Sequence, residues 1–301
     1  MGTRKSSMKD FISQTKVTIG TLLRISRPRY WVYLLAPYVL GIIAGISEAT
    51  IFTSTTVWFI CIFTIYFLFP ANLLLYGIND IYDTDTDSLN PKKHGYEIIL
   101  RDDDQPILVR TIFFVTVCFS VVSLFTPHTA LSAFIIFIYT SIFYAAWPIR
   151  AKTRPFLDTF MSSVIYMAPG FFGYYLTGGV HISIFVVLAG FLWGVLMHMH
   201  RAVIDIGPDT EARVRTIATV LGRKTTHYIL FFSYGILAVL SYAYIGILGP
   251  ITAMLYIFLV FFSYRMKTYE KQFAVYMYIP RLTSVALFCM IVFFAIQKFT
   301  H

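Results

Sequence analysis

The sequence predicts an all-α, polytopic membrane protein of nine transmembrane helices with a cytoplasmic N-terminus, and three observations lead there. Of 301 residues, 57% are hydrophobic and only 13% are charged. The mean hydropathy is +0.70, well above that of ordinary soluble domains. The remaining polar residues fall in short stretches between apolar runs of about 20 residues, the length that crosses a hydrocarbon core. A polar, basic segment at 1–28 is thereby set apart from a single transmembrane domain at 29–301. The stretch from Met1 to Thr21 lacks a cleavable apolar core and does not read as a signal peptide.

The first span, 30–46, follows Arg4, Lys5, Lys9, Lys16, Arg24, Arg27 and Arg29. The second, 52–76, is long and runs into an acidic cluster, with Lys92, Lys93, Arg101 and Arg110 beyond it. Spans 107–126 and 129–147 meet at the uncharged corner Thr126-Pro127-His128, and Arg150, Lys152 and Arg154 follow. Spans 156–176 and 181–200 lead to Arg201, Arg213, Arg215, Arg223 and Lys224. Span 227–247, a short 250–264 and 277–297 complete the nine, with Arg265, Lys267, Lys271 and Arg281 between the last two or opening the last. Pro127, Pro148, Pro155 and Pro250 sit at or near span edges, where a missing N–H costs little.

Threaded this way, every one of the 24 lysines and arginines except Lys298 lies on one side. Of the 15 acids only Glu48 lies on the other. The positive-inside rule makes the charged side cytoplasmic and puts the C-terminus outside, in a multi-pass protein of the cell membrane. A missed or extra span in the middle would scramble this partition. The +9 net charge is carried by short loops, which favours anionic lipid headgroups and phosphorylated substrates over nucleic acid. Cys61, Cys118 and Cys289 each lie within an apolar segment, a spacing that gives neither a zinc site nor a disulfide framework and reads as packing.

The densest chemistry is Asn79-Asp80-Ile81-Tyr82-Asp83-Thr84-Asp85-Thr86-Asp87, four carboxylates at the mouth of the second span. Like charges about 4 Å apart repel by roughly 1 kcal/mol even in water, and by more where water is scarce. A divalent metal carrying phosphates relieves that repulsion, and Mg2+ is commonly held by one or two carboxylates plus phosphate oxygens. On a helix continuing from the span, Asn79, Asp83 and Asp87 share a face and Asp80 lies close to it, while Asp85 points elsewhere. Asp83 and Asp87 are the expected metal ligands, with Asn79 as a neutral oxygen ligand or a donor to phosphate. The chain reads as a membrane enzyme that handles a diphosphate.

A second motif closes the sixth span, where Asp205 and Asp209 repeat the four-residue spacing. Gly207-Pro208 between them is expected to break or bend the helix, so that Asp205 ends one element and Asp209 opens the next. His198, Arg201 and Asp205 share a helical face. Candidate bases for a diphosphate are Lys92, Lys93, Arg201, Arg213, Arg215, Arg223 and Lys224, although anchoring at the cytoplasmic interface explains each as well. The run Asp102-Asp103-Asp104 precedes Gln105-Pro106 in a loop and reads as solvated.

These motifs resemble those of the UbiA superfamily of intramembrane prenyltransferases, which carry NDxxDxxxD after the second helix and DxxxD after the sixth of nine. Both are complete here, as Asn79-Asp80-Asp83-Asp87 and Asp205-Asp209. The resemblance implies a UbiA-like bundle over essentially the whole chain. It implies an enzyme transferring alkyl groups other than methyl, with Mg2+ held by Asn79, Asp83, Asp87, Asp205 and Asp209, the four aspartates being catalytic. Asn79, Asp80, Lys92, Lys93, Arg201, Arg215, Arg223 and Lys224 would bind an isoprenyl diphosphate. Its ionisation gives an allylic cation that an electron-rich acceptor captures in a cavity open to lipid.

Ser26-Arg27-Pro28-Arg29-Tyr30-Trp31, Asn90-Pro91-Lys92-Lys93 and the run from Arg215 to Gly222 resemble the lycopene elongase branch. That branch adds C5 units from dimethylallyl diphosphate to the ends of lycopene, often with hydration, toward C50 carotenoids. The segment Met197 to Arg201 departs from it, with two histidines and an arginine where smaller polar residues are expected. Tyr139, Tyr144 and Tyr166 are candidates to line the cavity and stabilise cations through their ring faces. Three rival functions make different demands on the sequence. A prenyltransferase for aromatic or quinone precursors would need a further base inside the cavity. A transporter of cations or metabolites would carry acids near the bilayer midplane. A phosphatidyl-alcohol transferase would set its aspartates in a glycine and Ala-Arg context absent around Asp83 and Asp87.

Overall fold

The computed structural model describes residues 18–46, 53–83, 100 and 102–299, and these contain helices and no strand. Helix α1 (Ile19–Ile25) starts where the Thr18 hydroxyl accepts a bond from the Thr21 amide at 3.2 Å. A left-handed Arg27 and one 3-10 turn, Pro28–Tyr30, then redirect the chain into α2 (Val32–Gly45). Helices α3 (Ser54–Leu68) and α4 (Pro70–Tyr82) are two halves of one crossing. Pro70 sits in the first turn of α4, where its missing N–H leaves no bond unmade.

Helices α5 (Gln105–Ser123), α6 (His128–Ala145), α7 (Leu157–Leu176) and α8 (Ile184–Glu211) follow. The chain ends in α9 (Ile217–Ile245), α10 (Leu248–Arg265), the short α11 (Tyr269–Tyr276) and α12 (Tyr278–Phe299). Helix α7 packs on α2, α6 and α8, α9 lies between α8 and α10, and α12 returns against α2. Helix α4 leans on α5 and α6. Phe63, Tyr66, Phe67, Phe134, Phe137 and Phe172 fill the space between α3, α6 and α7, with Phe63 and Phe172 centroids 4.4 Å apart.

Seven segments among the described residues are long and apolar enough to cross a membrane: Ser54–Tyr82, Gln105–Ser123, His128–Ala145, Ile184–Glu211, Ile217–Ile245, Leu248–Arg265 and Tyr269–Lys298. The other two expected spans, 30–46 and 156–176, are helices α2 and α7. Helix α2 is 14 residues long because the turn at Pro28–Tyr30 takes its first residues. Helix α7 buries Thr159, Ser162, Ser163 and Gly173 inside the bundle, so it lacks the uniform apolar character of a lipid-facing span.

These two helices form the most extensive pairing in the molecule. A Cβ on Gly41 would stand 2.0 Å from the Gly170 carbonyl oxygen, and one on Gly173 would stand 2.4 Å from that of Tyr38. Small residues let the backbones touch, the packing expected where lipid gives no hydrophobic drive between helices.

Large apolar side chains face outward instead, among them Phe113, Phe125, Phe232 and Val239. The three cysteines are exposed on these outer faces rather than packed inside, which corrects their expected role. Helix α8 brings a second correction. It runs unbroken through Gly207 and Pro208, so Asp205 and Asp209 lie one turn apart on a single helix. A residue before proline avoids the helical region because its Cβ meets the ring, and Gly207 has no Cβ.

Candidate active site

The last turn of α4 and the last two turns of α8 bring the two acidic motifs to one end of the bundle. Asn79 lies on α4, and Asp83 is its C-cap residue, so the described helix stops before Asp87. Asp87, Lys92 and Lys93 lie outside the described residues. Arg150 takes a left-handed conformation (φ 43°) at the start of the 3-10 turn Ala151–Thr153, aiming two bases at the first motif. Its guanidinium donates to the Tyr82 carbonyl at 3.1 Å and lies 3.9 Å from Asp83 Oδ1. Two residues on, the Lys152 ammonium donates to Asn79 Oδ1 at 3.3 Å and ion-pairs with Asp83.

Asp80 has a different setting. It is buried and bound to Arg27 at 2.7 Å, and Arg27 Cζ stands 4.8 Å from the Tyr76 ring centroid. Arg27 also has positive φ, 53°, and is itself buried. Left-handed backbone is costly outside glycine and persists where surroundings over-determine it, often at functional sites. A cation and its carboxylate are thus locked beside the first motif.

In the second motif, Arg201 Nε lies 3.9 Å from Asp205 Oδ2, and Asp209 Oδ2 accepts from the Thr216 hydroxyl at 3.4 Å. Arg213, left-handed at φ 56°, reverses the chain into α9, whose N-terminus carries a capping box of Thr216 and Thr219. Arg215 is exposed in this connection. Two expected diphosphate bases are placed elsewhere. The Arg223 guanidinium donates to the carbonyls of Ser263, Tyr264 and Met266, capping the C-terminus of α10. Lys224 is exposed and stands over the Tyr228 ring.

One cleft adjoins the motifs. Asn79 of the first motif lines it with His198 and Arg201, which precede Asp205 on α8, while Asp80, Asp83, Asp205 and Asp209 are not among its lining residues; six tyrosines form its walls: Tyr30, Tyr33, Tyr76, Tyr144, Tyr166 and Tyr276. Neighbouring rings Tyr76–Tyr30, Tyr30–Tyr33 and Tyr33–Tyr166 lie 5.9, 5.7 and 5.7 Å apart. Of the tyrosines singled out by sequence, Tyr144 and Tyr166 are here. Tyr139 is not; it is exposed on the outer face of α6 against Phe143. The other four went unselected because 21 tyrosines give no reason to prefer them.

Asp158 also went unselected. It is fully buried near the start of α7, where Oδ1 accepts from the Thr159 amide at 2.7 Å and Oδ2 from the Ile217 amide at 2.8 Å. His198 Nε2 lies 3.4 Å from the same Oδ2. An acid two residues inside an apolar span was the signal available.

Asn79, Asp83, Asp205 and Asp209 are hard oxygen donors of the kind Mg2+ prefers. The Lys152 ammonium between Asn79 and Asp83 shows that this spot already takes a positive charge. Among the described residues no three His, Cys, Asp or Glu side chains form a cluster.

The family profile described as the UbiA prenyltransferase family matches residues 34–280. The lycopene elongase/hydratase of Haloarcula japonica is 37% identical over 220 residues, 72% of each chain. That of Haloferax volcanii is 36% identical over 233 residues, 76% of this chain and 74% of the other. Among solved structures, a UbiA homologue from Archaeoglobus fulgidus bound to GPP and Mg2+ superposes with a TM-score of 0.64. It is 18% identical, over 90% of this chain and 99% of that one. The same homologue bound to DMAPP and Mg2+ gives 0.63, at 19% identity over the same shares.

Proposed function

The chain belongs to the UbiA prenyltransferase family and is a multi-pass membrane prenyltransferase, and from that premise we propose that it adds dimethylallyl units from their diphosphate to the ends of lycopene, toward C50 carotenoids. The observation that carries this is the cleft lined by Asn79 of the first acidic motif, by Arg201 one turn before Asp205 of the second, and by a wall of tyrosines. The relatives named lycopene elongase/hydratase support the acceptor. The solved homologue with DMAPP and Mg2+ supports the donor and the metal.

Asn79, Asp83, Asp205 and Asp209, with Asp87, would hold Mg2+, which supplies positive charge to a diphosphate leaving group. Arg201 and Lys152 neutralise the negative charge that grows on that group as its C–O bond opens, the step where fixed charge helps most. Lys92, Lys93 and Arg215, which follow the two motifs in the sequence, would add further positive charge. Asp80 acts one step back, holding the buried Arg27 beside the cleft. The tyrosine faces stabilise the allylic cation and keep water from it. The charged end of the bundle faces the cytoplasm, where soluble diphosphates arrive.

Purified protein with Mg2+, radiolabelled dimethylallyl diphosphate and a panel of lycopene, 4-hydroxybenzoate and glyceryl lipids tests the proposal. Label is expected in lycopene products, and Asp83→Ala and Asp205→Ala should each abolish it with membrane insertion intact. Label found only in an aromatic product would overturn the acceptor.

A further inference from the structure

The transfer just proposed leaves one proton to be placed, and no residue named so far takes it. When the donor C–O bond breaks, its electron pair leaves with the diphosphate. The allylic carbon then bonds to one carbon of an acceptor double bond, and the other alkene carbon becomes a tertiary cation. That cation ends in one of two ways. A neighbouring C–H bond yields its electron pair as a new double bond, or water adds through oxygen to give an alcohol. Either way one proton must leave the substrate.

Most groups lining the cleft cannot accept it. Arginine does not deprotonate, an amide is neutral and tyrosine hydroxyls are weak bases. Asp83 and Asp205 already face the cations Lys152 and Arg201, and Asp209 accepts from Thr216. Among the described residues lining the cleft, the exception is His198.

His198 is 9% exposed, and its Nε2 is sealed from solvent without a hydrogen bond, 3.4 Å from Asp158 Oδ2. A bare nitrogen facing a carboxylate is repelled, so the tautomer with the proton on Nε2 is the one this geometry favours, and Nδ1 is then the acceptor of a ring that lines the cleft. The Asp158 carboxylate is fully buried and fixed by the Thr159 and Ile217 amides and the Thr159 hydroxyl. No lysine or arginine lies within ion-pair distance of it among the described residues; His198 alone does. Such a buried, fixed carboxylate orients the ring that faces it. The remaining charged or titratable groups near the ring are Arg201 on its own helix, Tyr144 at 6.4 Å from α6 and Tyr166 from α7.

We propose that His198, oriented by Asp158, is the base that receives the terminating proton, with Asp158 as its positioning residue. The proton passes from the cationic product, or from the adding water, to Nδ1, and leaves through the mouth of the cleft. The inference rests on the prenyl transfer proposed above. It applies to any alkene acceptor.

The test follows label transfer and diphosphate release together, in purified full-length protein with Mg2+, labelled dimethylallyl diphosphate and lycopene. Wild-type protein that releases diphosphate but labels no polyene would overturn the acceptor reading, whatever the variants do. With transfer established, His198→Gln should lower kcat for transfer about 100-fold, the scale of general base catalysis. The donor KM should move less than about threefold. Diphosphate release should exceed transfer, because a product cation that finds no base reverts by cleavage of the new C–C bond, and water then captures the allylic cation as labelled dimethylallyl alcohol with loss of one proton to solvent.

Asp158→Asn should lose about tenfold, and adding it to His198→Gln should cost nothing more. Asp158→Glu, which keeps the carboxylate, should recover part of the coupling. If His198→Gln does not fold, His198→Asn is read the same way. Equal loss of release and transfer, or unchanged transfer, in a folded His198 variant overturns the proposal.

Discussion

At the scale of single residues, the first motif holds two acids with opposite duties. Asp83 faces Lys152 and the mouth, whereas Asp80 is buried against Arg27. Removing one partner of a buried ion pair strands the other, at a cost of about 3–5 kcal/mol. Asp80→Asn should therefore lower the thermal unfolding temperature in detergent by several degrees and weaken donor binding. An unchanged melting curve would show that Arg27 finds another anion. Lys152→Met should act with opposite signs on two ligands. Without the ammonium, Asn79 and Asp83 lose one competing cation, with the Arg150 guanidinium still 3.9 Å from Asp83, so Mg2+ alone should bind at least as well while pyrophosphate binds about tenfold more weakly. Calorimetry with each ligand separately reads both. The motif letters could not distinguish Asp80 from Asp83, because the partner that separates them lies 53 residues away in the chain. The tyrosine wall was hidden for a related reason, since ring positions depend on helix rotation that an apolar sequence leaves unmarked.

At the scale of elements, apolar runs marked the segments of α2 and α7 but not how those two helices meet. Helices α2 and α7 approach backbone to backbone at Gly41, Gly170 and Gly173, a contact with no hydropathy signature. Gly41→Val and Gly173→Val should each force these helices apart, because the nearest atoms are carbonyl oxygens that cannot move aside. Both should reduce the yield of monodisperse protein in size-exclusion chromatography. A valine at Gly190, where only the flexible Met167 side chain is near, serves as the tolerated control. The kink between α3 and α4 falls at Phe69, whose φ and ψ of −126° and −61° are not helical, and at Pro70; the proline was its signal, overridden by an apolar run that continues from Ser54 to Tyr82. The continuity of α8 misled in the other direction. Gly207-Pro208 signals a break by composition, yet a glycine before proline is the pairing that lets a helix pass.

At the scale of the whole molecule, the charge partition and the site concern the same end of the bundle. The bases that touch the first motif, Arg27, Arg150 and Lys152, come from the loops that the positive-inside rule assigns to the cytoplasm. A barrel whose catalytic acids shared an end with few bases would leave a diphosphate unneutralised. One whose bases anchored the opposite end would face its donor from the wrong compartment. Orientation is thus part of the chemistry, and it can be measured. With Cys61, Cys118 and Cys289 replaced by alanine, single cysteines at Arg215 and His128 probe exposed positions in connections expected on opposite sides. A membrane-impermeant maleimide should label Arg215→Cys only in inverted vesicles and His128→Cys only in right-side-out ones. Prior addition of Mg2+ and pyrophosphate should slow labelling at Arg215→Cys, which follows the second motif, and leave His128→Cys unaffected. Labelling of both from one side would require an even number of crossings between them and would separate the charge pattern from the site.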